Sequence, residues 1–295
     1  MSEVTPTAGV IGTGRMGAAM ASRIAGAGFD LMVWNRHRTK AETVAASTGA
    51  MVADSPAAVA AKTDVLITSL ADDEAVFSVY TGDDGVVAGI GPGTVAVDTS
   101  TVDPETIRSV GTAVDETGAG FIDCPVSGSV ATVEAGALTI MAGGDRDLID
   151  RVRPVLEPIS ARIIHVGDRG AGAATKLAVN GLVHGLNVAL AEALVLAEKA
   201  GVDRSTAYEV FVSGAGGAPF VQYKRAAYEN PDDAAVAFSL DLVQKDLELI
   251  TGLGERLGVP MRQAETVLDI VRGAIDAGMG DRDMSAIAIH LRGEG

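Results

Sequence analysis

Gly12, Gly14 and Gly17 stand in the spacing G-x-G-x-x-G, with Thr13, Arg15 and Met16 filling the gaps. This spacing forms a phosphate cradle when a strand runs into it and a helix leaves it. The first glycine permits a tight turn, the second lets the backbone approach a pyrophosphate, and the third lets the helix pack close to the sheet. The start of the helix then adds N–H donors and partial positive charge. The expected ligand is a dinucleotide. Further on, Asn35-Arg36-His37-Arg38-Thr39-Lys40 carries three fixed cations and no carboxylate. A carboxylate there accepts from a ribose 2′-hydroxyl, whereas guanidinium groups suit a 2′-phosphate. The segment predicts NADP in preference to NAD, which stays possible, with Arg36 as the main contact.

The elements that must hold such a loop are legible. Ala8–Ile11 is a short apolar run, residues 18–25 repeat apolar positions at helical spacing, and Leu31–Trp34 is strand-like. Together they make one strand–helix–strand unit. The alternation continues with a helix over 40–47 and a capped helix start at Asp54-Ser55-Pro56. Strand patterns follow at 65–69, 94–98, 121–123, 138–142 and 163–166, and Asp103-Pro104 opens another helix. Strands alternating with helices predict a doubly wound parallel sheet. Past Gly167 only helical patterns occur, at 176–200, 204–212, 240–257 and 261–277. The first of these is apolar on more than one face, which predicts a buried helix. The expected fold is α/β: an N-terminal Rossmann domain with a doubly wound sheet over residues 1–166, then an all-α domain over 167–295.

At 295 residues the chain is long enough for about two domains, and its 47% hydrophobic content suffices for two cores. Aromatics are only 4%, so those cores must be packed mainly with Ala, Val, Leu and Ile. A net charge of −16 argues against nucleic acid and anionic membrane surfaces as partners. Cys124 is the single cysteine, so no intrachain disulfide forms, which fits a reducing compartment. No basic segment followed by an apolar core opens the chain. The apolar stretch around Leu186 to Leu196 carries Asn187 and Glu192 and reads as short of a membrane span. A cytoplasmic protein is expected. His165, His184 and His290 lack ligand spacing, so no metal site is expected.

Four motifs in order make the reading specific. After the glycine loop come Asp123-Cys124-Pro125-Val126-Ser127-Gly128, then Gly172-Ala173-Ala174-Thr175-Lys176-Leu177-Ala178-Val179-Asn180, then Lys245-Asp246-Leu247. They are similar to the D-x-P-V-S-G, G-x-x-x-K-x-x-x-N and K-D-L segments of the β-hydroxyacid dehydrogenases, which include 3-hydroxyisobutyrate dehydrogenase and tartronate semialdehyde reductase. The resemblance covers nearly the whole chain. It implies that Lys176 is the catalytic acid/base and that Asn180 helps hold the substrate. Ser127 and Gly128 would take a substrate carboxylate, with Ser129 beside them. Lys245 and Asp246 would lie near the nicotinamide, Ser100 and Thr101 would border its ribose, and Leu70 and Ala71 would line the cofactor. Asn35, Arg36, His37 and Arg38 complete the expected cofactor contacts.

The chemistry is consistent with the residue types. Hydride transfer to a carbonyl leaves an alkoxide, and an ammonium group supplies both charge stabilisation and a proton. Lys176 opens an apolar helix, where burial and a neighbouring Lys245 would depress its pKa. Departures from the family pattern are informative. Ser129 replaces a usual glycine, which is expected to tighten or redirect the carboxylate pocket. Ala71 replaces a frequent proline. Val179 and Val183 stand where members acting on 6-phosphogluconate carry His and Glu, so decarboxylation of a sugar phosphate is not expected.

The reading is thus an NADP-preferring dehydrogenase or reductase of small 3-hydroxy acids or their semialdehydes and ketoacids. Two alternatives remain open. An imine reductase shares the fold but usually replaces the lysine with Asp or Tyr. A non-catalytic NADP-binding scaffold would not need the Lys176/Asn180 pair. His184 is read as a packed histidine with a possible substrate contact, and Cys124 as a buried strand-end residue. Gly214 to Gly217 reads as a flexible link between helices and, with Phe238, as a candidate pocket wall. The long apolar helix and the resemblance together predict a homodimer or homotetramer.

Overall fold

The computed structural model describes residues 6–231 and 233–293. The first five residues, on which the reading of the N-terminus partly rests, lie outside them. The chain divides into two compact units, Met1–Lys176 and Leu177–Gly295.

The first unit runs β1 (Ala8–Ile11), α1 (Arg15–Gly26), β2 (Leu31–Trp34), α2 (Arg38–Thr48), β3 (Met51–Val52), α3 (Pro56–Ala60), β4 (Val65–Thr68), α4 (Asp73–Thr81), β5 (Val95–Asp98) and α5 (Pro104–Asp115). It continues with β6 (Gly120–Asp123), β7 (Val126–Ser127), α6 (Val130–Glu134), β8 (Leu138–Gly143), α7 (Arg146–Leu156) and β9 (Ser160–Gly167). The strands form one sheet in the order β3-β2-β1-β4-β5-β6-β8-β7, with β9 also against β8. From β3 to β6 every pairing is parallel. The wholly parallel expectation is corrected at the far edge, where β8 runs antiparallel to β6 and β7. The segment between β7 and β8 holds only α6, so the chain leaves through β7 and returns beside it instead of crossing over the sheet.

Helices cover both faces of the central strands, which explains their continuous apolar runs. Side chains alternate between two cores. Val10, Ile67, Val97 and Ile122 point into one, while Ile11, Leu66, Ala96 and Phe121 point into the other. The expected caps form: the Ser55 hydroxyl accepts from the Ala58 N–H at 3.1 Å, and Asp103 accepts from the Glu105 N–H at 2.9 Å.

The second unit is helical. A single helix, α8 (Ala171–Lys199), begins in the first unit and enters the second. It is followed by α9 (Arg204–Ser213), α10 (Pro219–Glu229), α11 (Leu240–Leu257), α12 (Arg262–Ala274) and α13 (Ile287–Arg292). Gly214 to Gly217 link α9 to α10 as read. The division falls after Lys176, ten residues beyond the expected boundary at 166. The first turn of α8 belongs to the first unit because the Asp123 carboxylate holds the N–H groups of Gly170 and Ala173.

Two expectations for α8 are corrected. It is long and apolar enough to cross a membrane by length and composition. It is also not buried throughout: Leu177, Val188, Leu190, Ala191 and Leu194 enter the core of the second unit, but Leu182 and Leu196 are 67% and 72% exposed.

Candidate active site

The glycine loop is built as its spacing demands. Gly12 has φ +92°, and a Cβ there would sit 2.3 Å from the Ser69 carbonyl oxygen. A Cβ on Gly17 would lie 1.9 Å from the Gly12 carbonyl oxygen. Gly17 is therefore required by the loop folding back on itself, a tighter constraint than packing against the sheet. Gly14 is the N-cap of α1, and a Cβ there would meet nothing within 4 Å, so its backbone can be approached from outside. No side chain caps α1 and no acidic residue stands in its first turn. Thr13 donates its N–H to Asn35 Oδ1 at 3.0 Å, and Asn35 Nδ2 donates to the His37 carbonyl at 3.1 Å. The Thr13 hydroxyl is buried without a hydrogen-bond partner. Arg15 is exposed and Met16 half-buried. A tight glycine cradle at an uncapped helix start, with an unused buried hydroxyl, fits a dinucleotide pyrophosphate.

Strand order reverses at β1, which lies between β2 and β4. In open α/β sheets, ligands bind beyond the carboxyl ends of strands at such a switch point. There, Ser100 Oγ accepts from the Leu70 N–H at 3.0 Å and joins the loops after β4 and β5. Asp98 supports Ser100 from below, accepting from its N–H at 2.9 Å and from the Thr68 hydroxyl at 2.5 Å. Tyr80 OH lies 3.0 Å from the same hydroxyl. Burial pushes the Asp98 carboxyl up from 3.8 to about 6, against the hydrogen bonds from Thr68 and Ser100. Ala71 is exposed and Thr101 half-buried.

Arg36 and His37 are exposed beyond β2. Arg38 is committed to Glu42 at 3.0 Å and to Asp54 at 2.8 Å. The 35–40 window holds no carboxylate, but Asp54 from a separate segment engages Arg38.

In the D-C-P-V-S-G segment, Ser127 closes β7 and Gly128 follows with φ +143°. A Cβ on Gly128 would lie 2.7 Å from Leu138 Cδ2. Ser129 is the N-cap of α6. Its N–H donates to Thr132 Oγ1 at 3.1 Å, and the two hydroxyls share a hydrogen bond at 3.2 Å. The side chain expected to reshape a carboxylate pocket is engaged in this local turn. Asp123 is fully buried and caps α8, accepting from Gly170 and Ala173 at 2.8 Å each. Burial raises its carboxyl, and the N–H donors of Gly170, Ala173 and Gly172 act against that. Lys176 follows one turn later, half-buried. Cys124 is buried, and burial pushes its thiol well up, as a strand-end residue rather than a nucleophile.

In the second unit, Asp246 is a buried hub. Its Oδ2 accepts from Asn180 Nδ2 at 2.6 Å and lies 3.4 Å from His184 Nε2, and Lys245 Nζ is 2.9 Å from Oδ1. Burial raises this carboxyl, yet His184 and Lys245 hold it below the ordinary range. His184 is 2% exposed and packs on Phe238 with ring centroids 5.9 Å apart, as a packed histidine does. Nearby, Lys224 Nζ donates to both Asp283 oxygens at 2.7 and 2.9 Å. Asp283 also accepts from the N–H groups of Ala237 and Phe238, fixing the segment before α11.

Sequence reasoning missed Asp98, Lys224 and Asp283. Asp98 and Asp123 each end an apolar run, which is the sequence signal for them, and the structure pairs the two in register. Lys224 and Asp283 are 59 positions apart and carry no local signal. No group of three or more His, Cys, Asp or Glu placed to hold a metal occurs among the described residues.

Comparison with known proteins divides the chain at residues 167–170, just before α8. The family described as the NAD binding domain of 6-phosphogluconate dehydrogenase matches residues 7–167. The family described as NAD-binding of NADP-dependent 3-hydroxyisobutyrate dehydrogenase matches residues 170–291. The 2-(hydroxymethyl)glutarate dehydrogenase of Eubacterium barkeri is 36% identical over 95% of this chain and 92% of its own. Glyoxylate/succinic semialdehyde reductase 1 of Arabidopsis thaliana is 35% identical over 95% of this chain and 96% of its own. The solved Mycobacterium tuberculosis 3-hydroxyisobutyrate dehydrogenase with L-serine superposes with a TM-score of 0.87 at 33% identity, covering 98% of this chain and all of that one.

Proposed function

The chain belongs to the β-hydroxyacid dehydrogenase family, enzymes that act on small molecules with a nicotinamide cofactor, and from that premise we propose an NADP-preferring dehydrogenase of small 3-hydroxy acids and their semialdehydes in which Lys176 handles the proton. The carrying observation is the placement of Lys176 one turn into a helix whose start is pinned by a buried carboxylate, with Asn180 one turn further on.

The cofactor, when bound, supplies or accepts the hydride. The glycine loop and the N-terminus of α1 hold its pyrophosphate, and Arg36 meets the 2′-phosphate while Arg38 braces the loop against Asp54. The Ser127 hydroxyl and Gly128 N–H bind the substrate carboxylate. Asn180, oriented by Asp246, donates to the substrate oxygen. The Lys176 ammonium stabilises charge developing on the carbonyl oxygen and protonates the alkoxide; in the oxidative direction it takes that proton back. The substrates this arrangement selects pair a carboxylate with a hydroxyl or carbonyl a short carbon chain away. We further propose that two chains share the helical unit, covering Leu182 and Leu196, which gives a dimer in sedimentation at micromolar concentration.

A panel of three-to-six-carbon hydroxy acids and semialdehydes with each cofactor tests the reading. Lys176→Ala should lower kcat by about 100-fold or more and leave cofactor affinity unchanged. Undiminished turnover in that variant refutes the role.

A further inference from the structure

Asp123 belongs to the segment that resemblance marks as substrate-binding, yet it is 0% exposed. Both its oxygens are used on main-chain N–H groups at the start of α8, Oδ1 on Gly170 and Oδ2 on Ala173, each at 2.8 Å. The backbone closes around it. A Cβ on Gly172 would lie 2.7 Å from Asp123 Oδ2 and 2.5 Å from the Met141 carbonyl oxygen. A Cβ on Gly143 would lie 2.6 Å from Asp123 Oδ1 and 2.8 Å from the Gly172 nitrogen. The end of β6, the end of β8 and the first turn of α8 therefore meet around one carboxylate, at distances only glycine allows.

A helix start needs acceptors for its free N–H groups, and a carboxylate there also suits the helix dipole. Other helices in this unit meet that need with Ser55, Asp72, Asp103 or Asp145, which are half-buried or exposed. Burying the capping charge costs free energy, and burial raises the Asp123 carboxyl accordingly. What full burial adds is rigidity. Lys176 stands three positions after Ala173, and Ser127 four positions after Asp123. One carboxylate links the turn that carries the lysine to the strand end that leads into the Ser127-Gly128 loop.

We propose that Asp123 is a positioning residue, setting the distance between the Lys176 ammonium and the Ser127-Gly128 carboxylate loop. The inference rests on the role of Lys176 given above. A displacement of about 1 Å at such a group can cost about 100-fold in rate.

The test compares three variants of the full-length enzyme: Asp123→Asn, Gly172→Ala and Lys176→Ala. Asp123→Asn removes the charge and turns one acceptor into a donor facing an N–H. Gly172→Ala keeps the carboxylate and wedges the helix away from it. Both should lower kcat by roughly 100-fold and raise the isotope effect for substrate deuterated at the hydride-donating carbon, because hydride transfer becomes rate-limiting. Both should bind one cofactor per chain with a Kd within about twofold of the parent, as uniform binding is untouched. Unchanged kcat and isotope effect in Asp123→Asn overturn the proposal. So does a fall in kcat that merely tracks lost cofactor stoichiometry at a constant isotope effect, which marks a structural role. If Asp123→Asn does not fold, Gly172→Ala alone decides by the same criteria. A fully active Lys176→Ala removes the underlying functional reading instead, so the two failures are distinguishable.

Discussion

Asp98 offers the sharpest quantitative test. It ends β5 with no solvent exposure, and its carboxyl is raised from 3.8 to about 6, chiefly by burial, with the Asp123 charge adding to the shift. The folded protein therefore binds this proton more tightly than the unfolded chain does. Stability from this group is fully present below about pH 4 and is lost as the pH rises to about 6. Each pH unit of difference corresponds to about 1.4 kcal/mol, so ionised Asp98 costs the native state about 3 kcal/mol at neutral pH. Asp98→Asn removes the charge. Its carbonyl still accepts from the Ser100 N–H, and its amide can donate to the Thr68 or Ser100 hydroxyl. The variant should match the parent near pH 4 and become more stable by about 3 kcal/mol by pH 7. For a unit of this size that is a rise in Tm of roughly 6 to 12 °C. Urea or thermal unfolding of both proteins from pH 4 to 8 measures it, and carboxylates not coupled to Asp98 cancel in the difference. A stability gap that does not change with pH, or a parent more stable than the variant at pH 7, refutes the reasoning.

Three further outcomes are expected. Gly17→Ala puts a Cβ 1.9 Å from the Gly12 oxygen, so the loop must open, and cofactor affinity should fall at least about tenfold by calorimetric titration; a change under twofold would disprove the cradle. Arg36→Ala should weaken NADP binding by about 10- to 100-fold, the worth of a charge-assisted hydrogen bond, and leave NAD affinity unaltered; equal loss for both cofactors would rule out a 2′-phosphate contact. Lys224→Met leaves buried Asp283 without its cation and should cost about 3 kcal/mol or more, read as a lower urea midpoint at constant m-value; a loss below about 1 kcal/mol would show that the pair is not an effective clamp.

Much of the molecule is legible in local pattern. The β1–α1–β2 unit and the caps at Ser55 and Asp103 follow from residue spacing, and so do the cofactor loop and the helix that carries Lys176. Each is decided within a few residues, where side-chain periodicity and backbone constraints act. Other elements resist such reading. In α7, Pro154 stands inside a charge-rich helix and disguises it, and β7 is two residues long. The antiparallel return of β8 depends on which strand edge is free, and no local periodicity encodes that.

What the chain alone determined is the chemistry at hand: a glycine cradle, cations after β2, and a lysine and an asparagine one turn apart on an apolar helix. Tertiary structure decided how those groups are held. Asp54 reaches Arg38 and Asp123 caps α8, while Asp246 takes Asn180 and His184, across separations of 16 to 66 positions. A buried carboxylate looks like any other acidic residue in a sequence. Only packing removes its water and leaves it a few backbone and side-chain donors to satisfy it, and that choice of donors fixes the site's geometry.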